Sequence, residues 1–206
     1  MLRRLCGGLL VMALVGLSSK PAAAQETGTP MFKAPYRAFD NHEIGVAFSD
    51  PGEGVSFALE GFYGFARGTN DFGLRGGFAD PEGEGDMRLI LGGDFRTRVL
   101  NYSESFPLDG AITVGAGVNF GDGDDLIYLP VGFSVGRRFE LENSKVTFTP
   151  YAHPTIVPVL GASGGSDVGF ALGLGVDMRL STSLSARVSG GIGDLEGVGL
   201  ALTYVR

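Results

Sequence analysis

Apolar residues occupy every second position over most of the chain from Ile44 to Arg206. In the stretch 168–180, one parity carries only large apolar residues, whereas the other carries mainly glycine with one aspartate and one arginine. A period of two is typical of a β-strand whose two faces meet different surroundings. The pattern predicts ten strands, at roughly 44–49, 55–66, 72–79, 86–99, 111–120, 126–141, 145–160, 168–180, 184–193 and 197–206.

The connections between these strands are of two kinds, and the two kinds alternate. Those after the odd-numbered strands are rich in glycine and acidic residues, and they lie at 50–54, 80–85, 121–125, 161–167 and 193–197. The other connections mostly lack this pattern. Alternating turns give an antiparallel meander two chemically different ends, as in an up-and-down barrel. We therefore predict an all-β fold over residues 44–206, preceded by an irregular leader at 25–43 that contains Pro30 and Pro35.

The composition of the polar face indicates which face of the sheet is inside. A polar face turned to water would favour Thr, Lys and Glu, and glycine there would weaken the strands without a gain. The narrow interior of a barrel has a use for small residues beside a few charged ones. The polar-face glycines are Gly45, Gly64, Gly73, Gly77, Gly92, Gly115, Gly117, Gly169, Gly173, Gly175, Gly191 and Gly199. We expect the apolar face to meet lipid; the alternative is a soluble barrel with that face inside.

The N-terminus is typical of an export signal. Arg3 and Arg4 precede the apolar run 7–17, and Ala22-Ala23-Ala24 offers a cleavage site. We predict a secretory signal peptide over residues 1–24, whose removal also removes the only cysteine, Cys6. The chain has 23 acidic residues against 16 basic ones, three of which lie in the signal, and this balance argues against nucleic acid as a partner. Without an apolar helix after the signal, a membrane protein of this sequence must be a closed barrel of eight to ten strands, ten being preferred.

The C-terminal strand carries the most local family resemblance. Its alternation of Gly199, Leu202 and Tyr204 resembles the assembly signal of the small bacterial outer-membrane β-barrel family, which includes the transmembrane domain of outer membrane protein A. That family usually ends on an aromatic residue, whereas Val205 and Arg206 follow Tyr204 here. The resemblance implies a Gram-negative cell outer membrane, lipid contact, periplasmic chaperones and the barrel-assembly machinery as partners. It also implies termini in the periplasm and acidic turns outside.

Strand parity predicts a cluster of charged residues that point into the barrel. Isolated charges in a narrow lumen are costly, so they must be paired or hydrated. Ion pairs would plug the barrel, whereas hydrated arginines would line a narrow, porin-like and anion-preferring pore. The cluster consists of Glu60, Arg75, Arg88, Asp94, Arg96, Arg98, Asp177, Arg179 and Arg187, with Tyr151 and His153 as further polar lumen residues.

An enzymatic alternative depends on the seventh predicted strand. Pro150, Pro154 and Pro158 share one parity, so their missing N–H donors weaken a single seam. This resembles the lipid A palmitoyltransferase barrels, which admit lipid sideways at such seams; a merely distorted strand is the simpler interpretation. His153 has no serine convincingly beside it in sequence, as a lipid A deacylase would need.

We therefore expect no catalytic, cofactor or metal residues. The acidic loop 121–125 offers carboxylates to calcium, but it lacks the spacing of an EF-hand. The function expected is a structural or surface-interaction barrel, and a narrow pore with a charged lumen is compatible with it. The alternative is a lipid-modifying acyltransferase or deacylase. Ligand and oligomeric state stay open.

Overall fold

The computed structural model describes residues 27–52, 54–83, 85–103, 106–121 and 125–206. The predicted signal peptide, with Cys6, and part of the loop 121–125 lie outside these residues. The strands are β1 (His42–Asp50), β2 (Val55–Arg67), β3 (Asn70–Pro81), β4 (Arg88–Leu100), β5 (Asp109–Phe120), β6 (Leu126–Tyr128), β7 (Val131–Gly136), β8 (Phe139–Glu140), β9 (Thr147–Gly161), β10 (Ser166–Arg179), β11 (Leu184–Gly193) and β12 (Gly197–Val205).

The sheet closes on itself. Each strand pairs antiparallel with its neighbours, and β12 pairs with β1 from Glu43↔Val205 to Asp50↔Val198. The result is a closed ten-stranded, up-and-down antiparallel β-barrel. Closure leaves no free sheet edge, so backbone groups along the wall find partners in the next strand. The predicted fold class is confirmed, with ten strands rather than eight.

The sixth strand position is interrupted. Prediction placed one strand at 126–141, whereas the structure has three short segments there, β6, β7 and β8, all facing β9. Pro130 lies at the first break and lacks the N–H that would bond to β5, although its carbonyl accepts from Gly115 N–H at 2.9 Å. The register with β5 is the same on both sides of the break, from Gly117↔Tyr128 to Val114↔Val131. The wall therefore continues past a local loss of hydrogen bonds.

The two faces of the wall are of opposite character. Large apolar side chains lie on the outside, as shown by Ile44 at 59% and Val168 at 62% exposure. Charged side chains are inside, with Glu60 at 1% and Arg96 at 2%. The larger apolar face is thus the outer one, and inside the barrel apolar packing is limited to clusters of buried residues around Met31 and Phe32. The described part of the chain contains no helix long and apolar enough to cross a membrane.

The barrel has two distinct ends. The terminal end carries the start of β1, the end of β12 and the connections 68–69, 101–108, 141–146 and 180–183. The acidic-turn end carries the glycine-rich and acidic connections 51–54, 82–87, 121–125, 162–165 and 194–196. This arrangement follows directly from the alternation of turn types along the sequence.

Candidate functional site: a filled lumen

The leader, residues 27–41, runs through the inside of the barrel. It has no regular secondary structure, yet Thr27, Thr29, Met31, Phe32 and Ala34 are all almost completely buried. At the terminal end, Asn41 N–H donates to the carbonyl of Arg206 at 2.7 Å, and the chain then enters β1. The sequence predicts an irregular segment here but does not indicate where it lies relative to the barrel. In the structure it fills the lumen.

Wall side chains satisfy the backbone of the leader. A leader without secondary structure needs partners for its buried carbonyls, since an unpaired buried carbonyl costs as much as a lost hydrogen bond. Four carbonyls of the leader each accept a hydrogen bond from a side chain of the wall. Ser189 Oγ donates to Pro30 O at 2.5 Å, Tyr151 Oη to Phe32 O at 2.7 Å, Ser134 Oγ to Lys33 O at 2.7 Å, and Arg96 to Ala34 O.

Side chains of the leader are also tied to the wall. Lys33 Nζ forms a buried ion pair with Asp94 of β4, and Thr29 Oγ1 donates to Glu60 Oε2 of β2 at 2.8 Å. Both contacts satisfy a carboxylate that would otherwise be buried without sufficient partners. The leader is therefore part of the charge balance of the lumen and not only a filler of space.

The lumen glycines make room for the leader. A Cβ placed on Gly173 would collide with the ring of Phe32, and one on Gly199 with the sulfur of Met31. Small wall residues complete the packing, because Met31 lies in a cluster with Ala47 and Ala201. The leader thus explains some of the polar-face glycines, whereas others, such as Gly45 and Gly175, make room for the wall side chains Phe62 and Tyr151, as the sequence predicts.

Three further ion pairs connect side chains of neighbouring strands on the inner face of the wall. Arg187 Nε and a terminal nitrogen donate to the two oxygens of Asp177 at 2.7 and 3.1 Å. Arg96 Nε lies 3.0 Å from Asp71 Oδ2, and Arg75 Nε lies 3.6 Å from Glu60 Oε1. Two-oxygen contacts of this kind hold a guanidinium in one orientation. These pairs supply much of the charge neutralisation that buried charges in a packed lumen require.

The structure buries six of the predicted lumen residues in ion pairs. They are Glu60, Arg75, Asp94, Arg96, Asp177 and Arg187. Arg88 lies towards the acidic-turn end, where its Nε donates to Asn119 Oδ1 at 2.6 Å. Arg98 and Arg179 lie at the terminal end, and Arg179 bonds to Asp40 of the leader at 3.3 Å. Parity thus put all nine residues on the lumen side of the wall, but only six of them are buried in ion pairs.

His153 sits in the centre of the lumen with both ring nitrogens engaged. Nδ1 accepts from the Lys33 backbone N–H at 3.4 Å, and Nε2 lies 2.8 Å from Thr113 Oγ1. The ring also meets Phe32 edge-on, with centroids 5.8 Å apart. Its polar partners among the described residues are thus a threonine and a peptide N–H. The ring orients the leader and is not paired with a serine or a carboxylate.

The three prolines of β9 direct their backbone to one neighbour. Leu129 N–H donates to Pro158 O at 3.0 Å, and Arg137 N–H donates to Pro150 O at 3.3 Å. Both acceptors face the interrupted sixth strand, so the N–H that each proline lacks would have pointed there too. The pairing of β7 with β9 also skips the position of Pro154. We call this line of contact, between β6–β8 and β9, the proline seam.

Several residues of the lumen had no place in the sequence interpretation. Lys33 and Tyr36 belong to the leader, which lacks any period, and Asp71 and Glu43 lie near strand ends where parity is hard to read. A usable signal did exist: Met31 and Phe32 are large apolar residues in a segment without strand pattern, facing a wall rich in glycine. In β12, Gly199 faces the leader, whereas Leu202 and Tyr204 are exposed on the outer surface.

Metal and calcium sites find little support in the described residues. No group of three or more His, Cys, Asp or Glu in that part of the chain is arranged to hold a metal ion. The central residues of the acidic loop, 122–124, lie outside the described ranges, so this finding does not bear on that loop.

Comparison with known proteins adds little to this picture. No protein-family model matches the chain, and no curated protein matches it. A solved structure described as a bacterial polysaccharide outer membrane secretin is similar, with 14% identity and a TM-score of 0.44 over 81% of this chain. The match covers 66% of that protein, slightly less than two thirds of its length. A similarity of this size is too low to assign a function to the present chain.

Proposed function

We propose that this chain is an outer-membrane β-barrel with a structural or surface-interaction role, whose lumen is closed by its own leader. The observation that carries the proposal is the inverted distribution of side chains. Large apolar residues cover the outside of a wall whose inside holds paired charges. In water such a surface would be an aggregation liability far larger than soluble proteins tolerate. A lipid bilayer is the solvent that this distribution fits.

Aromatic residues near both ends of the wall also support a location in a lipid bilayer. Phe65, Phe72 and Phe95 form a row close to the terminal end, with centroids 5.0 Å apart between successive rings. Towards the other end, Phe48 and Phe57 stack with centroids 6.0 Å apart. Barrels in outer membranes carry aromatic girdles at both interfaces and strands of about 9–11 residues across the bilayer. The long strands of this barrel satisfy that length.

The packed lumen favours a plug over an open pore. The leader occupies the barrel axis, and its carbonyls, Lys33 and Thr29 are bonded to the wall. A pore would need hydrated charges, whereas the central charges here meet each other. We therefore propose a resting state that does not conduct. The expected partners are outer-membrane lipid, periplasmic chaperones and the assembly machinery of a Gram-negative cell, with no role for nucleic acid.

We propose a non-enzymatic role in preference to lipid modification. The proline seam would suit sideways entry of lipid, but His153 faces the leader and bonds to Thr113 and the Lys33 N–H. A nucleophile would need a general base within hydrogen-bond reach. The hydroxyl within reach of His153 is that of Thr113, but both side chains are buried inside the lumen, away from the outer surface where a lipid substrate would lie. The seam is therefore interpreted as a structural feature.

Folding and conductance measurements test the proposal together. The full chain is expressed for export, recovered from the cell envelope in detergent, and analysed on gels with and without heating. We expect a compact, heat-modifiable β-rich species that forms only with detergent or lipid. A soluble monomer in plain buffer would reject the membrane location.

The closed lumen is tested in planar bilayers. The full chain should show no steady conductance, whereas a variant lacking residues 27–40 should conduct if it still gives the heat-modifiable species. The double substitution Thr29→Val with Lys33→Met is a milder variant, which should open the lumen intermittently. Steady conductance by the unmodified chain would overturn the plug and favour the narrow pore.

A further inference from the structure

A cavity at the terminal end of the lumen is lined mainly by arginines. It has a volume of about 80 Å³ and lies between the leader and the wall. Five arginines line it but only two carboxylates: Arg37, Arg96, Arg98, Arg138 and Arg179, with Asp40 and Asp71. The whole chain is acidic, with a formal net charge of −7. The cavity is therefore a local concentration of positive charge in an otherwise negative molecule.

Three of these arginines already have partners. Arg96 pairs with Asp71 at 3.0 Å, and Arg179 lies 3.3 Å from Asp40. Arg37 donates to the carbonyls of Phe39, Asn70 and Gly68 at 3.1, 3.4 and 2.9 Å. Both carboxylates of the cavity are thus committed, and neither is available to the remaining two arginines.

Arg98 and Arg138 both lie over the ring of Tyr36, and neither pairs with a carboxylate that lines the cavity. Their guanidinium carbons lie 4.9 and 4.7 Å from the centre of that ring. The Nε of each is buried and has no hydrogen-bond partner among the described residues. The acidic side chain beside Arg138 is Glu140, 3.6 Å away and largely exposed. Two cations held against one aromatic ring, with donors unused, form an incomplete site.

We propose that this cavity binds an oxyanion of the phosphate class, held by Arg98 and Arg138. Guanidinium groups match phosphate oxygens through paired N–H donors, and they do so most strongly where water is largely excluded. A volume of about 80 Å³ exceeds by severalfold what one water molecule requires, so it can accept a tetrahedral anion. Because both arginines line the same cavity, an anion inside it is in reach of both.

The bound anion would also connect the leader to the wall. Tyr36 belongs to the leader, Arg98 to β4, and Arg138 to the connection between β7 and β8. Neutralising the two cations removes their mutual repulsion and retains their contact with Tyr36. Phosphate should therefore hold the leader more firmly in the lumen, and the stability of the barrel should rise with phosphate concentration.

Two sources of phosphate are tested separately. The full chain is prepared in a non-ionic detergent that contains no phosphate. The sample is first checked for the heat-modifiable species on gels. Inorganic phosphate is then titrated by calorimetry; in a second arm, short-chain phosphatidic acid is added to the micelles and the midpoint of thermal unfolding is followed. Binding of inorganic phosphate supports a soluble source, and a response to the lipid alone supports a headgroup.

The substitutions distinguish the site from general attraction. Arg98→Gln with Arg138→Gln should weaken phosphate binding at least tenfold, whereas Arg67→Gln, an exposed arginine outside the cavity with the same change of charge, should weaken it less than twofold. Should the double glutamine variant fail to fold, Arg98→Lys with Arg138→Lys keeps the charge and should still lose severalfold in affinity.

Failure of the site and failure of the barrel are distinguishable. The inference depends on the proposed barrel being folded in detergent, which the gel shift reports in the same sample. Folded protein that binds phosphate in neither arm would overturn the site. Equal weakening by Arg67→Gln would overturn it as well, because the attraction would then belong to the whole surface.

Discussion

Strand β9 has two neighbours, and its contacts with them differ sharply. Towards β10 it pairs without interruption from Ser166↔Leu160 to Arg179↔Thr147. Towards the sixth strand position it meets the three short segments of the proline seam. The same strand therefore forms one of the most complete contacts of the barrel and also its least complete one.

The difference follows from the parity of the prolines. Alternate residues of an antiparallel strand bond to opposite neighbours, so prolines spaced by four residues all remove donors from the same side. Pro150, Pro154 and Pro158 leave the β10 side of β9 intact. A closed barrel can accommodate several prolines in this way, because it concentrates the loss in one seam instead of weakening two.

The leader supports that seam from inside. Of the wall groups that bond to the leader backbone, Ser134 lies on β7, and Tyr151 and His153 lie on β9. Pro35 also packs near Gly136 at the end of β7. Hydrogen bonds across the lumen thus connect the two sides of the proline seam through residues 32–33 of the leader. On this view the leader completes a wall that is weak without it.

The largest effect is expected from Lys33→Met. The substitution leaves Asp94 buried without its ammonium partner, and removing one member of a buried ion pair costs about 3–5 kcal/mol. The leader should then detach more often, and amide hydrogen exchange should rise first along β7 and the β9 residues that face it. Unfolding of the refolded barrel by urea gives the free energy, and exchange in detergent gives the location.

The double variant Lys33→Met with Asp94→Leu is the control for this prediction. It removes the pair as a unit and should recover most of the lost stability, since the uncompensated carboxylate is gone. Exchange that rises equally on the β9–β10 side would contradict the idea that the leader supports one seam in particular.

Sequence patterning predicted the wall far better than its contents. The alternation of apolar and polar residues identified ten strands and the outward face, because the polarity of each side chain matches the surroundings of the face on which it lies. The alternation does not show the break at Pro130, because Leu129 and Val131 both face outward and the apolar period continues across it. Side-chain periodicity does not record the loss of a backbone donor.

The leader could not be placed from sequence for a related reason. Its position depends on carbonyl groups, such as those of Phe32 and Lys33, which every residue possesses. Parity did put Asp94 and Arg96 on the lumen side, but the partners of these residues come from a segment without any period. The position of the leader depends on contacts between residues far apart in sequence, whereas the strands of the wall are visible in the local pattern of side chains.

An intermediate effect is expected from a matched pair of serine substitutions. Ser134→Ala and Ser189→Ala each remove one hydroxyl that donates to a leader carbonyl, on β7 and β11 respectively. Each should cost about 2 kcal/mol in the free energy of unfolding, because a buried carbonyl is left without its donor. Only Ser134→Ala should increase amide exchange along the proline seam, since β11 lies in the continuous part of the wall. Equal exchange profiles for the two variants would argue that the leader stabilises the whole barrel evenly.

The smallest effect is expected from Pro154→Val, and it has the opposite sign. Valine restores an N–H on the outward, lipid-facing parity of β9, where the pairing with β7 is interrupted. One regained ladder hydrogen bond should stabilise the barrel by about 1 kcal/mol. Ala152→Val is the control, because it enlarges an outward side chain of the same strand whose N–H is already present, and should change stability by less than about 0.5 kcal/mol. Both are measured as shifts in the midpoint of urea unfolding in detergent. If Pro154→Val is neutral while Ala152→Val stabilises, outward packing and not the missing donor limits this seam, and the contrast between the two sides of β9 would need another cause.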